Sequence, residues 1–417
     1  MKNYLLSNYL SRKALNLISN FYFDIKLNNI YSNSGNSIAV ILIDYKRFRG
    51  DLQSLINHGN IDIYTIENSV IDRINHLSNI TGNNLIWKSI INKVNNKHNI
   101  DFLMSTAPYY LRNILIEKAC LNSSIKFVCY FREGVGADPS VLKLMISNRI
   151  GEWRNYYGQS ILFGNKIIRD IFLSNKYIDK DIDNSVCGVC RVDATCIESK
   201  PFLQNNKQNN KQITFFSFPM FSGIDSRQVS YFSKDKSLNN FNDLFISVHS
   251  LIIELANKYP NYKFVIKPKW YGGEWKKHID RLLKMQYGEI DNKPTNLVIL
   301  DNVNVEKLIK SSDLVVAFNS TTIIESAIQL KPVIIPIFDE AINKYSDYVY
   351  WKNRDDIFYI ANSREEFVSL IDTHIESNGL KNKMIDMNTL SDTIGYCDGG
   401  NTERLYKHLL SLKNERQ

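Results

Sequence analysis

Short apolar runs alternate with amphipathic stretches along most of the chain, and this alternation constrains the fold more than any other feature. The longest apolar runs, SIAVILIDY and PVIIPIF, have the length of strands and fall short of the roughly 18 residues that a membrane span requires. Such a pattern is typical of parallel sheets covered by helices. At 417 residues, the chain is long enough for two α/β domains of about 200 residues each.

The apolar periodicity predicts two successive series of strands and helices. In the first series the predicted strands are Ser37–Tyr45, Ile61–Ile66, Asp101–Ser105 and Lys126–Arg132, and the predicted helices are Arg47–Asn57, Val70–Lys97, Tyr109–Leu121 and Lys166–Asn175. In the second series the predicted strands are Ile213–Phe218, Lys263–Lys267, Leu297–Leu300, Leu314–Phe318 and Pro332–Phe338, and the predicted helices are Asn239–Lys258, Glu274–Gln286, Val305–Lys310, Thr322–Leu330, Glu365–His374 and Thr402–Leu412.

A polar, low-complexity segment, ESKPFLQNNKQNNKQ, separates the two series. It has too few large apolar side chains to form a packed core, so it is interpreted as a linker over 197–212. We therefore expect an N-terminal domain over 1–196 and a C-terminal domain over 213–417. Two α/β units joined in this way resemble the GT-B architecture, in which two Rossmann-like domains face a central cleft.

The charge balance admits two interpretations. The chain carries 51 basic and 43 acidic residues, for a formal net charge of +8. This charge is either an ordinary solvated surface or an attraction to an anionic partner such as a sugar nucleotide, a phospholipid surface or an acidic glycan. A nucleic-acid partner is not expected, because the sequence has no dense Lys/Arg run and no known reader motif.

The N-terminal segment MKNYLLSNYLSRKALNLISNFYF is amphipathic and lacks both a clean apolar core and a small-residue cleavage site. No signal peptide is therefore expected. The segment is either an ordinary first helix or a helix that lies on a membrane surface. These features, with six scattered cysteines, predict a cytoplasmic protein, with peripheral contact at the inner membrane as the alternative.

No metal and no cofactor are expected from the motifs. Cys187 and Cys190 form one Cys-x-x-Cys, but a zinc site needs a second pair of ligands and none stands at a suitable spacing. Two small, half-buried residues on a strand edge explain this pair more simply. The seven histidines show no metal or triad spacing.

The segment LVVAFNSTTIIESAIQL holds the first candidate site, where a buried strand runs into Asn319, Ser320, Thr321 and Thr322 and then into a helix. Asn, Ser and Thr are preferred N-caps, and capping alone would explain them. Unpaired amides and the helix dipole also make such a turn suitable for a phosphate. Glu325, one turn into the helix, is placed to reach a ribose hydroxyl. We expect this turn to bind the nucleotide.

Two carboxylates and two lysines complete the candidates. Glu133 stands before a glycine-containing turn after a strand, and is either a general acid or base or a neighbour of an Arg132 ion pair. Asp225 follows a strand, a proline and a glycine, and is either catalytic or a turn stabiliser. Lys267 and Lys269 also follow a strand, and either bind phosphate or carboxylate or are simply solvated.

Several of these motifs resemble known enzymes. SVCGVCRVDAT, with Gly188, Arg191 and Asp193, resembles the V-x-G-x-x-R-x-D signature of bacterial surface-polysaccharide GT-B glycosyltransferases and teichoic-acid polymerases. The segments REGVGADPSVL, SGID, VIKPK and DLVVAFNSTTIIESAI occur in an order similar to that of the β-Kdo transferases of capsule and O-antigen synthesis. The resemblance covers most of 100–405 through short, degenerate motifs.

The resemblance implies a transferase that uses a CMP-activated ulosonic acid (Kdo-like), retains its configuration and extends a surface polysaccharide. It also implies a catalytic glutamate at the position of Glu133, an aspartate nucleophile near Asp225, and phosphate contacts at 319–322. Arg191 is included among the donor-binding residues. Where many relatives carry Lys-Pro-His-Pro, this chain has Lys-Pro-Lys-Trp at 267–270, so a histidine role there does not carry over.

The expected partners are therefore a CMP-linked or other nucleotide sugar and a glycan or lipid-linked glycan acceptor. Three other functions stay open. A GT-B enzyme with a UDP-sugar or CDP-polyol donor has the same fold, a nucleotide-sugar epimerase has the same fold and a different reaction, and a non-catalytic subunit would only bind glycan.

Overall fold

The computed structural model describes residues 28–32, 35, 38–43, 48–80, 85–108, 110–121, 123–132, 141–144, 146, 155–199, 211–220, 241–269, 273–377, 379–383 and 385–415. The chain divides into two compact units. Unit 1 comprises Met1–Glu133, Glu152–Asp193 and Ile394–Gln417, and unit 2 comprises Gly134–Gly151 and Ala194–Thr393. Each unit has its own sheet, and each is described by itself.

The sheet of unit 1 has the strand order β1-β3-β2-β4-β5-β6-β7. Its strands are β1 (Asn28–Tyr31), β2 (Ile38–Leu42), β3 (Ile61–Thr65), β4 (Phe102–Ser105), β5 (Lys126–Phe131), β6 (Ser160–Phe163) and β7 (Asp183–Val186). Only the edge strand β1 is antiparallel to its neighbour, and the other described pairs are parallel. Parallel strands bury both faces, which explains why every residue of β2 is apolar, as is every residue of β4 except Ser105.

Helices cover both faces of this sheet. The described helices of unit 1 are α1 (Arg49–His58), α2 (Asn68–Ile80), α3 (Leu85–His98), α4 (Ile114–Cys120), α5 (Lys166–Ser174) and the C-terminal helix, together with 3₁₀ turns at Leu111–Asn113 and Cys190–Val192. On one face, Val40 and Met104 belong to a cluster with Leu55 of α1. Side chains of α3 pack on the other face, where Trp87 and Leu103 line the same small cavity.

The C-terminal helix, Asn401–Asn414, belongs to unit 1 and not to the C-terminal domain that was predicted over 213–417. The reason is burial of its apolar stripe, because Leu405, Leu409 and Leu412 join the cluster formed by the strands of unit 1. The boundary predicted for the second domain is therefore wrong at its C-terminal end. Most of the predicted linker, 200–210, lies outside the described residues.

The sheet of unit 2 is parallel throughout its described strands and has the order β10-β9-β8-β11-β12-β13. Its strands are β8 (Gln212–Phe216), β9 (Lys263–Lys267), β10 (Leu297–Ile299), β11 (Leu314–Ala317), β12 (Val333–Pro336) and β13 (Tyr359–Ala361). The described helices of this unit are α6 (Asp193–Ser199), α7 (Asn242–Lys258), α8 (Glu274–Tyr287), α9 (Val305–Lys310), α10 (Thr322–Ile328), α11 (Glu340–Asn343), α12 (Arg364–Glu376) and α13 (Met387–Ile394). The first residue of α6 and the last residue of α13 belong to unit 1. The C-terminal helix of unit 1 is α14.

The predicted pair of α/β domains is confirmed, and nearly all predicted strands and helices are found within a few residues of their expected ends. The helical region predicted over Val70–Lys97 consists of two helices, α2 and α3. Four strands of the two sheets were not predicted, namely β1, β6, β7 and β13. Among the helices that the structure describes, none has the length and apolar character to cross a membrane.

Candidate functional site

The strand order of unit 2 defines where a ligand is expected to bind. Numbered within the unit, the order is 3-2-1-4-5-6, which is the order of dinucleotide-binding sheets. It reverses between β8 and β11, so the chain leaves these two neighbouring strands in opposite directions and a crevice opens at their carboxyl ends. The segments that border it are Ser217–Met220 after β8 and Phe318–Thr321 after β11.

Asn319, in the second of these segments, has an unusual backbone. Its φ is +44°, a left-handed conformation in which Asn is tolerated better than most residues. Its side chain is buried and binds the loop that follows β12: Nδ2 donates to the carbonyl of Tyr348 at 2.8 Å, and Oδ1 accepts from the amide of Tyr350 at 2.8 Å. Asn319 therefore shapes the turn with its side chain. The sequence had suggested that it caps α10, and the structure shows that it does not.

Ser320 does part of the expected capping. Its Oγ accepts from the amide of Thr322 at 3.3 Å and lies 2.9 Å from the Thr322 hydroxyl. Thr321, the residue before α10, makes no capping hydrogen bond with its side chain. Thr321 and Glu325 are four residues apart and partly exposed, whereas the three residues between them are buried. The partly exposed surface at the start of α10 is thus formed by these two side chains.

A second strained residue stands at the same edge of the sheet. Asp339 follows β12 with φ +49° and ψ −127°, a region that residues other than glycine seldom occupy. Its carboxylate accepts from Ser247 at 2.7 Å and forms a bidentate pair with Arg364 at 2.9 and 3.0 Å. Two adjacent strands therefore end in strained, side-chain-fixed turns, a feature that clusters at ligand sites.

The lysines at the end of β9 differ from each other. Lys267 is buried, and its Nζ donates to the carbonyl of Pro268 at 2.8 Å. Burial lowers the pKa of Lys267, and the nearby carboxylate of Asp301 acts in the opposite direction. Lys269 is only partly buried. Of the two alternatives for these lysines, simple solvation does not hold for Lys267, whose side chain is buried at the carboxyl edge of the sheet.

The structure also shows a polar pair that sequence reasoning missed. Ser217 and His249 are both buried, with Oγ and Nε2 2.9 Å apart. They stand 32 positions apart on a strand end and a helix, with no motif that links them. Only the apolar spacing of α7, which buries position 249, hinted that this histidine lies in the core.

In unit 1, the carboxyl end of β5 carries a buried ion pair. Arg132 contacts Asp51 of α1 through Nε, and the amide of Arg191 donates to the same carboxylate at 3.3 Å. An ion pair of Arg132 was the alternative that the sequence left open to a catalytic role of Glu133. Glu133, the next residue, lies outside the described residues, as does Asp225. Their catalytic roles stay predictions.

The V-x-G-x-x-R-x-D motif anchors the last helix of the chain. The carboxylate of Asp193 accepts from the amides of Asn401 and Thr402 at 3.1 and 2.7 Å and from the Thr402 hydroxyl at 2.7 Å. Gly188 has φ +85°, and a Cβ at this position would lie 1.9 Å from Oδ1 of Asn401. In unit 1, Asp193 and Gly188 thus have a structural role, because they fix the start of α14.

The Cys-x-x-Cys pair is part of the core. Both Cys187 and Cys190 are buried, and burial raises the pKa of each thiol above its ordinary value. Protonated thiols are poor metal ligands. Within the described ranges, no group of three or more His, Cys, Asp or Glu side chains is arranged to hold a metal ion.

These two units, each a helix-covered sheet of mostly parallel strands, have the two-domain Rossmann-like GT-B fold. Among solved structures, the chain is similar to UDP-GlcNAc 2-epimerase from Methanocaldococcus jannaschii (TM-score 0.52, 12% identity, 90% of this chain and 99% of that one). It is also similar to the UDP co-structure of MnaA from S. aureus (TM-score 0.51, 11% identity, 90% and 97%). A glycosyltransferase from Rickettsia africae matches with a TM-score of 0.44, 14% identity, and 91% and 97% coverage.

At these identities the likeness shows the fold alone. No family model and no curated protein matches the chain.

Proposed function

We propose that this protein is a glycosyltransferase that binds a sugar nucleotide at the carboxyl edge of the unit 2 sheet. The observation that carries the proposal is the reversal of strand order between β8 and β11, because open α/β sheets bind ligands at this point. The strained turn at Asn319 and the buried side chain of Lys267 at the same edge support a phosphate-bearing ligand.

Within this site each predicted residue has a proposed role. The start of α10, with Ser320, Thr321 and Thr322, faces the phosphate, because amides at a helix start favour negative charge. Glu325 contacts the ribose, and Lys267 and Lys269 offset the phosphate charge. Asn319 contributes by holding the turn, since its side-chain amide is already bonded on both sides.

For the donor we propose a CMP-linked ulosonic acid, transferred with retention to a growing surface glycan. The support is the resemblance of several motifs to the β-Kdo transferases. Retention by double displacement requires an ionised carboxylate nucleophile and a separate acid or base for the acceptor hydroxyl. Asp225 is the proposed nucleophile and Glu133 the proposed acid or base. Arg191 is proposed as a further donor contact.

A nucleotide-sugar epimerase is the second candidate. The observation that favours it is the fold likeness, with TM-scores of 0.51 and 0.52, to MnaA in complex with UDP and to a UDP-GlcNAc 2-epimerase. The two candidates differ in their need for an acceptor. An epimerase converts a free nucleotide sugar by itself, whereas a transferase turns over only when a glycan acceptor is supplied.

Thermal unfolding of the full chain with CMP, UDP and CDP tests the binding proposal. A nucleotide at 100 times its Kd stabilises the folded state by about 2.7 kcal/mol, so one of the three should raise the unfolding temperature clearly. CMP should give the largest rise. A larger rise with UDP would overturn the proposed donor and keep the site, and no rise with any nucleotide would overturn the binding proposal itself.

Intact-mass spectrometry tests the proposed nucleophile. Enzyme incubated with donor and no acceptor should gain the mass of one sugar on the peptide that contains Asp225. Asp225→Ala should abolish turnover and leave nucleotide affinity within about threefold, because the carboxylate acts on the sugar. Full activity of this variant, or an adduct on another peptide, would show that another residue is the nucleophile.

A further inference from the structure

Ser217 and His249 form a hydrogen-bonded pair whose proton positions can be assigned from geometry. His249 is fully buried, and its Nδ1 lies 2.6 Å from the carbonyl oxygen of Phe245, one turn earlier on α7. A carbonyl can only accept, so Nδ1 carries a proton. Burial lowers the pKa of His249 to about 3, so the ring is neutral near pH 7 and Nε2 has no proton.

The bare Nε2 of His249 then determines what Ser217 can do. Oγ of Ser217 lies 2.9 Å from Nε2 and has one hydrogen, which it must donate to the ring. The backbone amide of Ser217 is also occupied, since it donates to the carbonyl of Lys267 at 3.0 Å. Ser217 therefore has no proton left for a ligand, and the lone pairs of its hydroxyl can only accept.

The surroundings hold the imidazole in this orientation. The His249 ring packs against Phe215, Phe218 and Phe245, with centroid distances of 4.7, 6.3 and 4.0 Å. A ring enclosed in this way cannot turn to exchange its two nitrogens without disturbing the core. His249 is fully buried, and Ser217 keeps 3% of its surface exposed.

The position of Ser217 places the pair at the candidate site. It is the first residue beyond β8, one of the two strands that flank the reversal of strand order. We propose that Ser217 is a specificity-determining contact which accepts a hydrogen bond from a hydroxyl or N–H group of the nucleoside part of the nucleotide sugar, and that His249 is its positioning residue. A phosphate oxygen has no proton to offer at neutral pH, so this contact selects the nucleoside. The inference rests on the proposed function.

Calorimetric titration with UDP and CMP tests this role, with wild-type protein, Ser217→Ala and a matched serine control. Ser250→Ala is that control, because Ser250 neighbours His249 on α7 and lines an outer groove of the helix. Ser217→Ala should weaken whichever nucleotide the wild type binds by about five- to tenfold, the range of one hydrogen bond. Ser250→Ala should leave its Kd within twofold.

A second variant, His249→Phe, distinguishes a lost ligand contact from a purely structural effect of Ser217→Ala. His249→Phe fills the space among the rings and removes the acceptor, so Ser217 keeps its hydroxyl and loses its fixed orientation. We expect a two- to fivefold weaker nucleotide Kd, with the Ser217→Ala and His249→Phe effects less than additive because both act through one oxygen. A Kd unchanged in Ser217→Ala, or additive effects in the double variant, would overturn the inference. Failure of the wild type to bind either nucleotide would instead overturn the proposed function.

Discussion

Replacing Asn319 with alanine tests whether this residue shapes the candidate site or contacts the ligand itself. In the structure its amide joins two backbone groups of the loop after β12, the carbonyl of Tyr348 and the amide of Tyr350. Alanine would remove both hydrogen bonds and would also stand at φ +44°, which alanine tolerates less well than asparagine. Loss of this partner costs about 1–3 kcal/mol for each of the two backbone groups. With about 1 kcal/mol of backbone strain, we expect a loss of about 3–7 kcal/mol.

Thermal unfolding of the full chain measures this loss. For a domain of about 200 residues, 1 kcal/mol corresponds to roughly 2–4 °C, so the transition that reports on unit 2 should fall by at least about 6 °C. Asn319→Gly separates the two contributions, because glycine adopts positive φ without strain and should be about 1 kcal/mol more stable than the alanine variant. Asn343→Ala, at an exposed position of α11, is the control and should shift stability by less than about 0.5 kcal/mol.

The opposite outcome would refute this reasoning. If Asn319→Ala unfolds at the wild-type temperature and loses only nucleotide affinity, the asparagine contacts the ligand directly and its hydrogen bonds to the loop do not matter. Equal stability of the glycine and alanine variants would show that the positive φ carries no cost.

Three further predictions concern other parts of the chain. Because burial depresses the pKa of His249 to about 3 from 6.5, the unfolded state binds a proton first as the pH falls, and stability is lost between about pH 6.5 and 3. At pH 4.5 this amounts to about 3 kcal/mol relative to pH 7. The unfolding temperature of the wild type should therefore fall more between pH 7 and pH 4.5 than that of His249→Phe, and equal falls would contradict the prediction. Gly395→Ala places a Cβ 2.4 Å from the carbonyl oxygen of Gly164 at φ +86°, so hydrogen exchange of α14 should accelerate at least tenfold, whereas unchanged exchange would contradict the contact. Val94→Ile adds a methylene beside the apolar cavity of about 20 Å³ in unit 1 and should raise the unfolding temperature by about 1–3 °C, and a decrease would mean that the cavity cannot accept it.

The sequence predicted most strands because parallel strands are continuous apolar runs bounded by polar turns. It failed where that signal is short or weak, and β6 was missed although its four residues are buried. β7 has the sequence DNSV and is half-buried at every position, so its apolar run is missing. β13 has three residues, too few for a periodicity. The strand order could not be predicted either, because β8 pairs with β11, which lies about a hundred positions later in the sequence.

The candidate site was predicted in part. The turn at 319–322 was recognised from its strand, its capping residues and its helix, and the structure places it beside the reversal of strand order. What Asn319 bonds to could not be foreseen, since its partners lie about 30 positions away in a loop without a motif. For the same reason the attachment of α14 to unit 1 was missed: the Asp193 carboxylate and the amide of Asn401 are 208 positions apart.

Hydrogen exchange measured by mass spectrometry, with and without the nucleotide that titration selects, tests the central claim most directly. The account predicts slower exchange in peptides that cover 213–220 and 314–325, the segments on either side of the strand-order reversal in unit 2. Peptides from α2 and α3 of unit 1 should exchange at the same rate in both samples and serve as the internal control. Protection confined to unit 1, with both segments of unit 2 unchanged, would contradict the account.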